Sequence, residues 1–261
     1  MITSRGNALI RELRGLVRSP TRRAARVPVE GWRVLAAAAE AGVRFDLAVY
    51  TPESAADPRR AALRDRLRSL GAREVVVSPE VFAALTQVEA PQGALGIAAR
   101  PAPPEMSQLA AAETFAAVLD GVQDPGNVGA IVRTAAAAGA TVVVTAGSAA
   151  DPFGSKALRA SAGAAFRVPS CHFETAAAAA AALADAGVRL IVADPHGGAP
   201  AATMPFLRPL ALVFGNEGAG ADAAWQRAGA ALVRVPTAGA VESLNVAAAA
   251  ALLLYRAAGL M

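Results

Sequence analysis

The sequence predicts an α/β protein: a parallel sheet covered by helices in the C-terminal part, preceded by a small α/β domain. Three observations lead there. Beyond residue 113, short apolar runs of strand length alternate with Ala-rich segments of helix-like composition. A proline cluster near residue 100 interrupts the chain. The charge balance also changes there: residues 1–100 hold 16 Arg against 10 acids, and residues 101–261 hold 9 basic against 11 acidic side chains.

In the N-terminal part, strand candidates are 46–50, 74–77 and 95–99, and helix candidates are 31–41, 59–70 and 79–85. The stretch "RPAPPEMSQLAAAE" carries three prolines in four positions, which cannot continue a helix or a central strand. We therefore expect a first domain over 1–99, a linker over 100–112 and a second domain over 113–261. In the second domain the runs 115–119, 141–146, 188–193, 210–214 and 231–235 read as strands. The segments 131–138, 155–162, 175–186, 221–228 and 244–258 read as helices. Ala is the strongest helix former and lets helices pack closely. Such alternation argues for a parallel sheet with both faces covered.

Composition excludes several classes. The longest apolar run, ten residues from Val246 to Tyr255, is half the ~20 residues that a membrane-spanning helix needs. Charge interrupts the N-terminus, unlike a signal peptide. A single cysteine, Cys171, makes no internal disulfide, which fits a reducing, cytoplasmic compartment. Cys171 and His172 adjoin, but with only His196 besides there is no ligand set for a metal. The first 26 residues contain seven Arg and one acid. Such a basic arm, with Arg5, Arg11, Arg14, Arg22 and Arg23, fits a phosphate backbone and hence RNA. A solvated helix face is the plainer alternative.

Ligands in parallel sheets bind at the carboxyl ends of strands, and three loops there concentrate polar residues. "DGVQDPGNVGAIVRTAAAAGA" (120–140) places Asn127 where a helix N-cap is expected and Arg133 about one and a half turns inside. It is neither a dinucleotide fingerprint nor a phosphate-binding P-loop. "LVFGNEGAGAD" (212–222) sets Gly215, Asn216 and Glu217 at a strand end, with the carboxylate between glycines. "VPTAGAVESLNVAAAAALLLY" (235–255) brings Glu242, Ser243 and Asn245 to the start of the last helix. Gly239 lets this loop turn, and Ser243 and Asn245 are candidate caps.

In this order, the three loops resemble the three motifs of the SpoU, or TrmH-like, RNA 2′-O-ribose methyltransferases of the SPOUT class. Residues 148–169 also resemble that family. In the N-terminal half, "VEGWRVLAAAAEAG" and "SPEVFAALTQVEAPQGALGIA" resemble the substrate-binding domain found in many members. The resemblance implies a C-terminal deep trefoil knot, which composition and periodicity cannot show, because knots are rare. It also implies a homodimer whose site uses both subunits, S-adenosylmethionine (AdoMet) held in the knot, and no metal. Arg133 and Asn127 match the polar positions of the first motif, Glu217 that of the second, and Ser243 and Asn245 those of the third. The cofactor is implied to meet Gly215, Asn216, Glu217, Val235, Ser243 and Leu244. Thr237 departs from the pattern, standing where many relatives carry Met.

The reaction implied is in-line attack of a ribose 2′-oxygen on the sulfonium methyl, on ribosomal RNA in preference to tRNA. The family's proposed base is the first-motif Arg. An Arg pKa lies far above neutrality, so positioning of the target phosphate is an equal alternative for Arg133. A non-catalytic RNA-binding or ribosome-assembly protein and a dinucleotide-dependent enzyme are the rival readings.

Overall fold

The computed structural model describes residues 1–18, 21–238 and 242–261. The chain forms two compact units, one of residues 1–101 and 153–167, the other of residues 102–152 and 168–261.

The first unit contains α1 (Ala8–Arg18), β1 (Arg26–Glu30), α2 (Trp32–Glu40), β2 (Phe45–Tyr50), α3 (Pro52–Ala56), α4 (Ala61–Ser69), β3 (Arg73–Val76), α5 (Pro79–Leu85) and β4 (Ala94–Ala99). Its four-stranded mixed sheet has the order β1-β4-β2-β3. β4 pairs antiparallel with β1 and β2, and β3 runs parallel to β2. β1 went unrecognised in the sequence because Pro28 interrupts it. The structure puts it at a sheet edge, where a residue lacking an N–H is tolerated.

The basic stretch at the N-terminus is not an extended arm. α1 buries Ile10, Leu13 and Val17 against Val49, Phe82 and Leu95. Their spacing of three and four puts them on one helix face, leaving Arg11 and Arg18 exposed.

The second unit adds α6 (Met106–Leu109), β5 (Phe115–Asp120), α7 (Pro125–Ala137), β6 (Val142–Ala146), β7 (Ser170–Phe173), α9 (Ala176–Asp185), β8 (Arg189–Ala193), β9 (Ala199–Pro200), β10 (Leu210–Phe214), α10 (Ala224–Arg227), β11 (Ala231–Arg234) and α11 (Val246–Ala257). The intervening α8 (Ser155–Ala160) packs with the first unit, where Phe153 lies under the Arg100 guanidinium. The sequence had assigned that segment to the second domain. α6 falls inside the expected linker, is closed by a Glu105–Gln108 capping box, and sends Leu109 into the second core.

The second sheet has seven strands in the order β7-β6-β5-β10-β8-β11-β9, all parallel. β10 is its middle strand, and all five of its side chains are buried, which accounts for an apolar run without alternation. α9 covers one face through Ala176, Ala179, Ala180 and Leu183, and these small side chains allow close approach. β7 was missed in the sequence because Ser170–Phe173 is only half-buried and mixes polar with apolar residues. Among the described residues no helix is long and apolar enough to cross a membrane.

Candidate functional site

The parallel sheet delivers its polar loops to one cavity. β10 ends in Gly215, and residues 216–220 form a tight turn closed by two backbone hydrogen bonds between Asn216 and Gly220, of 3.0 and 2.9 Å. The turn needs glycine at 215: a Cβ there would lie 2.2 Å from the Ala221 backbone nitrogen. Asn216 braces the turn from inside. Its Oδ1 accepts from the Gly218 and Ala219 backbone N–H groups, at 2.9 and 3.0 Å, and its Nδ2 donates to the Gly121 carbonyl at 3.0 Å. The far end of the loop is held by Asp120, a buried carboxylate at the end of β5. Its Oδ2 accepts from the Asp222 backbone N–H at 2.7 Å and from the Trp225 indole N–H at 2.9 Å. Glu217 is thus carried on a loop fixed at both ends, with its carboxylate exposed.

α7 begins two residues before Asn127. Its cap is Asp124, whose side chain accepts from the Gly126 N–H at 2.9 Å, and Pro125 takes the first helical position, where its fixed φ suits a helix. The expectation that Asn127 is the cap is therefore corrected. From the third helical position its Nδ2 donates to Glu217 Oε1 at 2.6 Å.

Of the two candidate caps of α11, only Asn245 serves. Its Oδ1 accepts from the Ala247 and Ala248 N–H groups at 2.9 and 3.4 Å. Its Nδ2 donates to Asn127 Oδ1 at 3.2 Å. The four bonds run in one direction, from the helix N–H groups through two amides to a carboxylate. Capping fixes which way the Asn245 amide faces, and that in turn fixes Asn127, whose Oδ1 is taken up by Asn245 so that its NH2 group turns to Glu217.

Glu217 and Asn245 line a cavity of about 660 Å³, within the range of small-molecule sites. Asn127 reaches it only through its bonds to them. Gly215, Asn216, Glu217, Val235, Glu242, Ser243, Leu244 and Asn245 all line it. Phe214, Val233 and Leu253 supply apolar wall. Asp194, Glu217, Asp222 and Glu242 give it four carboxylates, and among the described residues its lining contains no Lys or Arg.

Arg133 stands apart. Six positions beyond Asn127 on a helix of 3.6 residues per turn, it faces elsewhere. It is exposed and does not line the cavity. Gly239 lies outside the described residues. Of the basic residues, Arg5, Arg11 and Arg23 are exposed, while Arg14 and Arg22 are half-buried.

Two contributors escaped the sequence reading. Asp194 folds the loop after β8, accepting from the His196 and Gly197 N–H groups at 2.7 and 3.2 Å, and both Asp194 and His196 line the cavity. The rule that found the other loops, polar residues after a strand, applies equally to "ADPHGG". Asp120, an acid ending an apolar strand, gave a similar signal. Among the described residues no cluster of His, Cys, Asp and Glu suits a metal ion.

The model of the SpoU rRNA Methylase family matches residues 114–255, more than half of the chain. The chain belongs to this family. A second model, the MRM3-like substrate binding domain, matches residues 7–96. Among curated relatives, the 23S rRNA (guanosine(2553)-2′-O)-methyltransferase RlmP of Bacillus subtilis is 38% identical over 184 residues, 70% of this chain and 72% of the relative. Among solved structures, an AdoMet-bound rRNA methyltransferase from Sinorhizobium meliloti superposes with a TM-score of 0.85 at 28% identity, covering 98% of this chain and 96% of that one. The SpoU methyltransferase AviRb from Streptomyces viridochromogenes, in complex with AdoMet, gives 0.85 at 27% identity, covering 97% and 98%. Both of these solved structures match the chain over residues of both units.

Proposed function

We propose that this SpoU protein is an AdoMet-dependent methyltransferase acting on a ribose 2′-hydroxyl of ribosomal RNA. The observation that carries the reading is the bonded series Asn245–Asn127–Glu217, which joins all three family motifs: Glu217 and Asn245 line one cavity, and Asn127 is bonded to both. The curated relative's activity and the substrate-binding model over the first unit favour rRNA over tRNA.

The cavity residues fit AdoMet. A sulfonium cation with an adenosyl body suits a pocket with four carboxylates, no Lys or Arg among the described lining residues, and an apolar wall. Bound there, AdoMet supplies an activated methyl group. Val235, Leu244 and the Gly215–Gly220 turn line the cavity and would hold the adenosyl part, the glycines allowing close backbone approach. Ser243, which lines the same cavity, would help to hold the cofactor. Asn127, held by Glu217 and Asn245, orients the ribose so that O2′ is in line for attack, and such positioning lowers the barrier without a covalent intermediate.

The protein acts in the cytoplasm as a homodimer, with its C-terminal segment threaded as a trefoil knot. Leu252 on α11 is exposed in the single chain, as are Leu260 and Met261 beyond it, which supports burial of this end by a second copy. Arg133, which the single chain leaves outside the cavity, then reaches the partner subunit's pocket and holds the target phosphate. Arg5, Arg11, Arg14, Arg22 and Arg23 add backbone affinity.

The test is incubation of methyl-labelled AdoMet with protein-free rRNA and, separately, tRNA. Label in rRNA is expected. Label in tRNA alone overturns the substrate, and label in neither overturns the activity.

A further inference from the structure

The first unit contains a cavity of about 880 Å³ unconnected with the chemistry above. Its position explains why two stretches of the N-terminal half are distinctive. One supplies Trp32, the other Pro91, Gln92 and Gly93, and they meet where the Trp32 backbone N–H donates to Gln92 Oε1 at 3.1 Å. Gly93 is required by crowding: its φ is +71°, and a Cβ there would lie 2.5 Å from both Ser54 Oγ and Thr51 Oγ1.

Trp32, on the cavity wall, belongs to an aromatic stack whose other ring, Tyr50, is buried behind it. Trp32 and Tyr50 lie parallel, with centroids 5.6 Å apart and planes 8° apart. The Arg60 guanidinium sits 5.3 Å over the Trp32 ring, and that of Arg64 sits 5.3 Å over the Tyr50 ring. Arg60 and Trp32 line the cavity, and the buried Arg60 Nε has no hydrogen-bond partner. Asp57 is 4.0 Å from that nitrogen and is hydrogen-bonded to Arg59 at 3.0 Å.

Lining charge is balanced, Arg59 and Arg60 against Glu53 and Asp57, which argues against a simple phosphate trap. Rings on the wall and both donors and acceptors on the rim match a nucleobase. RNA-binding proteins take unstacked bases onto aromatic or guanidinium planes and read their edges by hydrogen bonds. We infer that this cavity is a second RNA subsite that receives one unpaired nucleotide. Its base stacks on the Arg60 guanidinium, and Gln92 Nε2, left available because Oε1 is occupied, donates to the base edge. The inference rests on the reading of RNA as substrate, and it adds a recognition element remote in sequence from the three motifs.

The test uses the full-length protein and the variants Arg60→Ala, Arg60→Lys and Gln92→Ala, with AdoMet affinity as the check on folding. The probes are protein-free rRNA, in a methylation assay, and a labelled 20-nucleotide single-stranded RNA, in a binding assay. Stacking on one base corresponds to a loss of about ten-fold. We expect Arg60→Ala to raise the KM for rRNA and to weaken oligonucleotide binding by about that factor, with kcat and AdoMet affinity unchanged. Gln92→Ala should do so less strongly, and Arg60→Lys should not rescue, since a lysine has no plane to stack on. Full rescue by lysine overturns base stacking in favour of charge alone. Wild-type KM in Arg60→Ala, or no oligonucleotide binding by the wild type, overturns the subsite. A wild type that binds RNA but methylates none of it defeats the proposed function and leaves the subsite standing.

Discussion

At the residue scale, Asn245 performs two tasks that substitution can separate. It caps α11 through Oδ1 and holds Asn127 through Nδ2. Asn245→Asp keeps an acceptor for the helix N–H groups, and a carboxylate suits a helix N-terminus. It loses the donor and sets a negative charge against Asn127 Oδ1. Stability should therefore change by less than about 0.5 kcal/mol, while kcat falls on the order of 10²-fold because the ribose is misplaced. Urea unfolding and single-turnover methylation measure the two effects. Equal loss of both would mean that Asn245 is only a cap. Cys171 gives a separate check on the second core. Burial pushes its thiol up to about 11, so the folded protein prefers the neutral thiol. That preference is fully present below the unfolded value and is lost as pH rises through 11. Reaction with a disulfide reagent at pH 8 should be much slower than for free cysteine and should accelerate only near pH 11.

At the scale of elements, the site depends on how tightly the loop after β10 is folded. Gly215→Ala forces a methyl against the Ala221 backbone. Overpacking of this kind costs about 1–3 kcal/mol, and relief must move the turn that carries Glu217. AdoMet affinity should drop by about ten-fold or more on that basis, measured calorimetrically; unaltered affinity would remove the turn from the cofactor site. This scale also separates what was legible from what was not. The buried strands of the second sheet could be read because parallel pairing requires apolar runs, and 210–214 agrees to the residue. β1 could not, because its proline is acceptable only at an edge that pairing alone reveals. The three site loops were visible as Gly, Asn and acid after strands. The cap of α7 was misread because Asp124-Pro125 is as good a helix start as Asn127, and the two differ in the hydrogen bond formed, not in residue type.

At the scale of the whole molecule, two facts lay beyond sequence pattern. Residues 153–167 pack with the first unit, an assignment set by long-range contacts such as Arg100 over Phe153. Arg133 sits outside the cavity formed by its own chain, which the motif order could not disclose. The proposed dimer turns the second fact into an expectation. Arg133→Ala and Glu217→Ala should each be inactive alone. When the two are mixed and allowed to exchange subunits, half of the dimers are mixed and each of these has one intact site. Roughly a quarter of wild-type activity should then return. No recovery, despite exchange, would require Arg133 to act within its own chain.

The central claim, methylation at O2′, is tested most directly by the chemistry of the product. Ribosomal RNA methylated with labelled AdoMet is hydrolysed in alkali, where cleavage needs a free 2′-hydroxyl. The account predicts label in an alkali-resistant dinucleotide, abolished by Asn127→Ala. Label recovered in mononucleotides would mean base methylation and would contradict it.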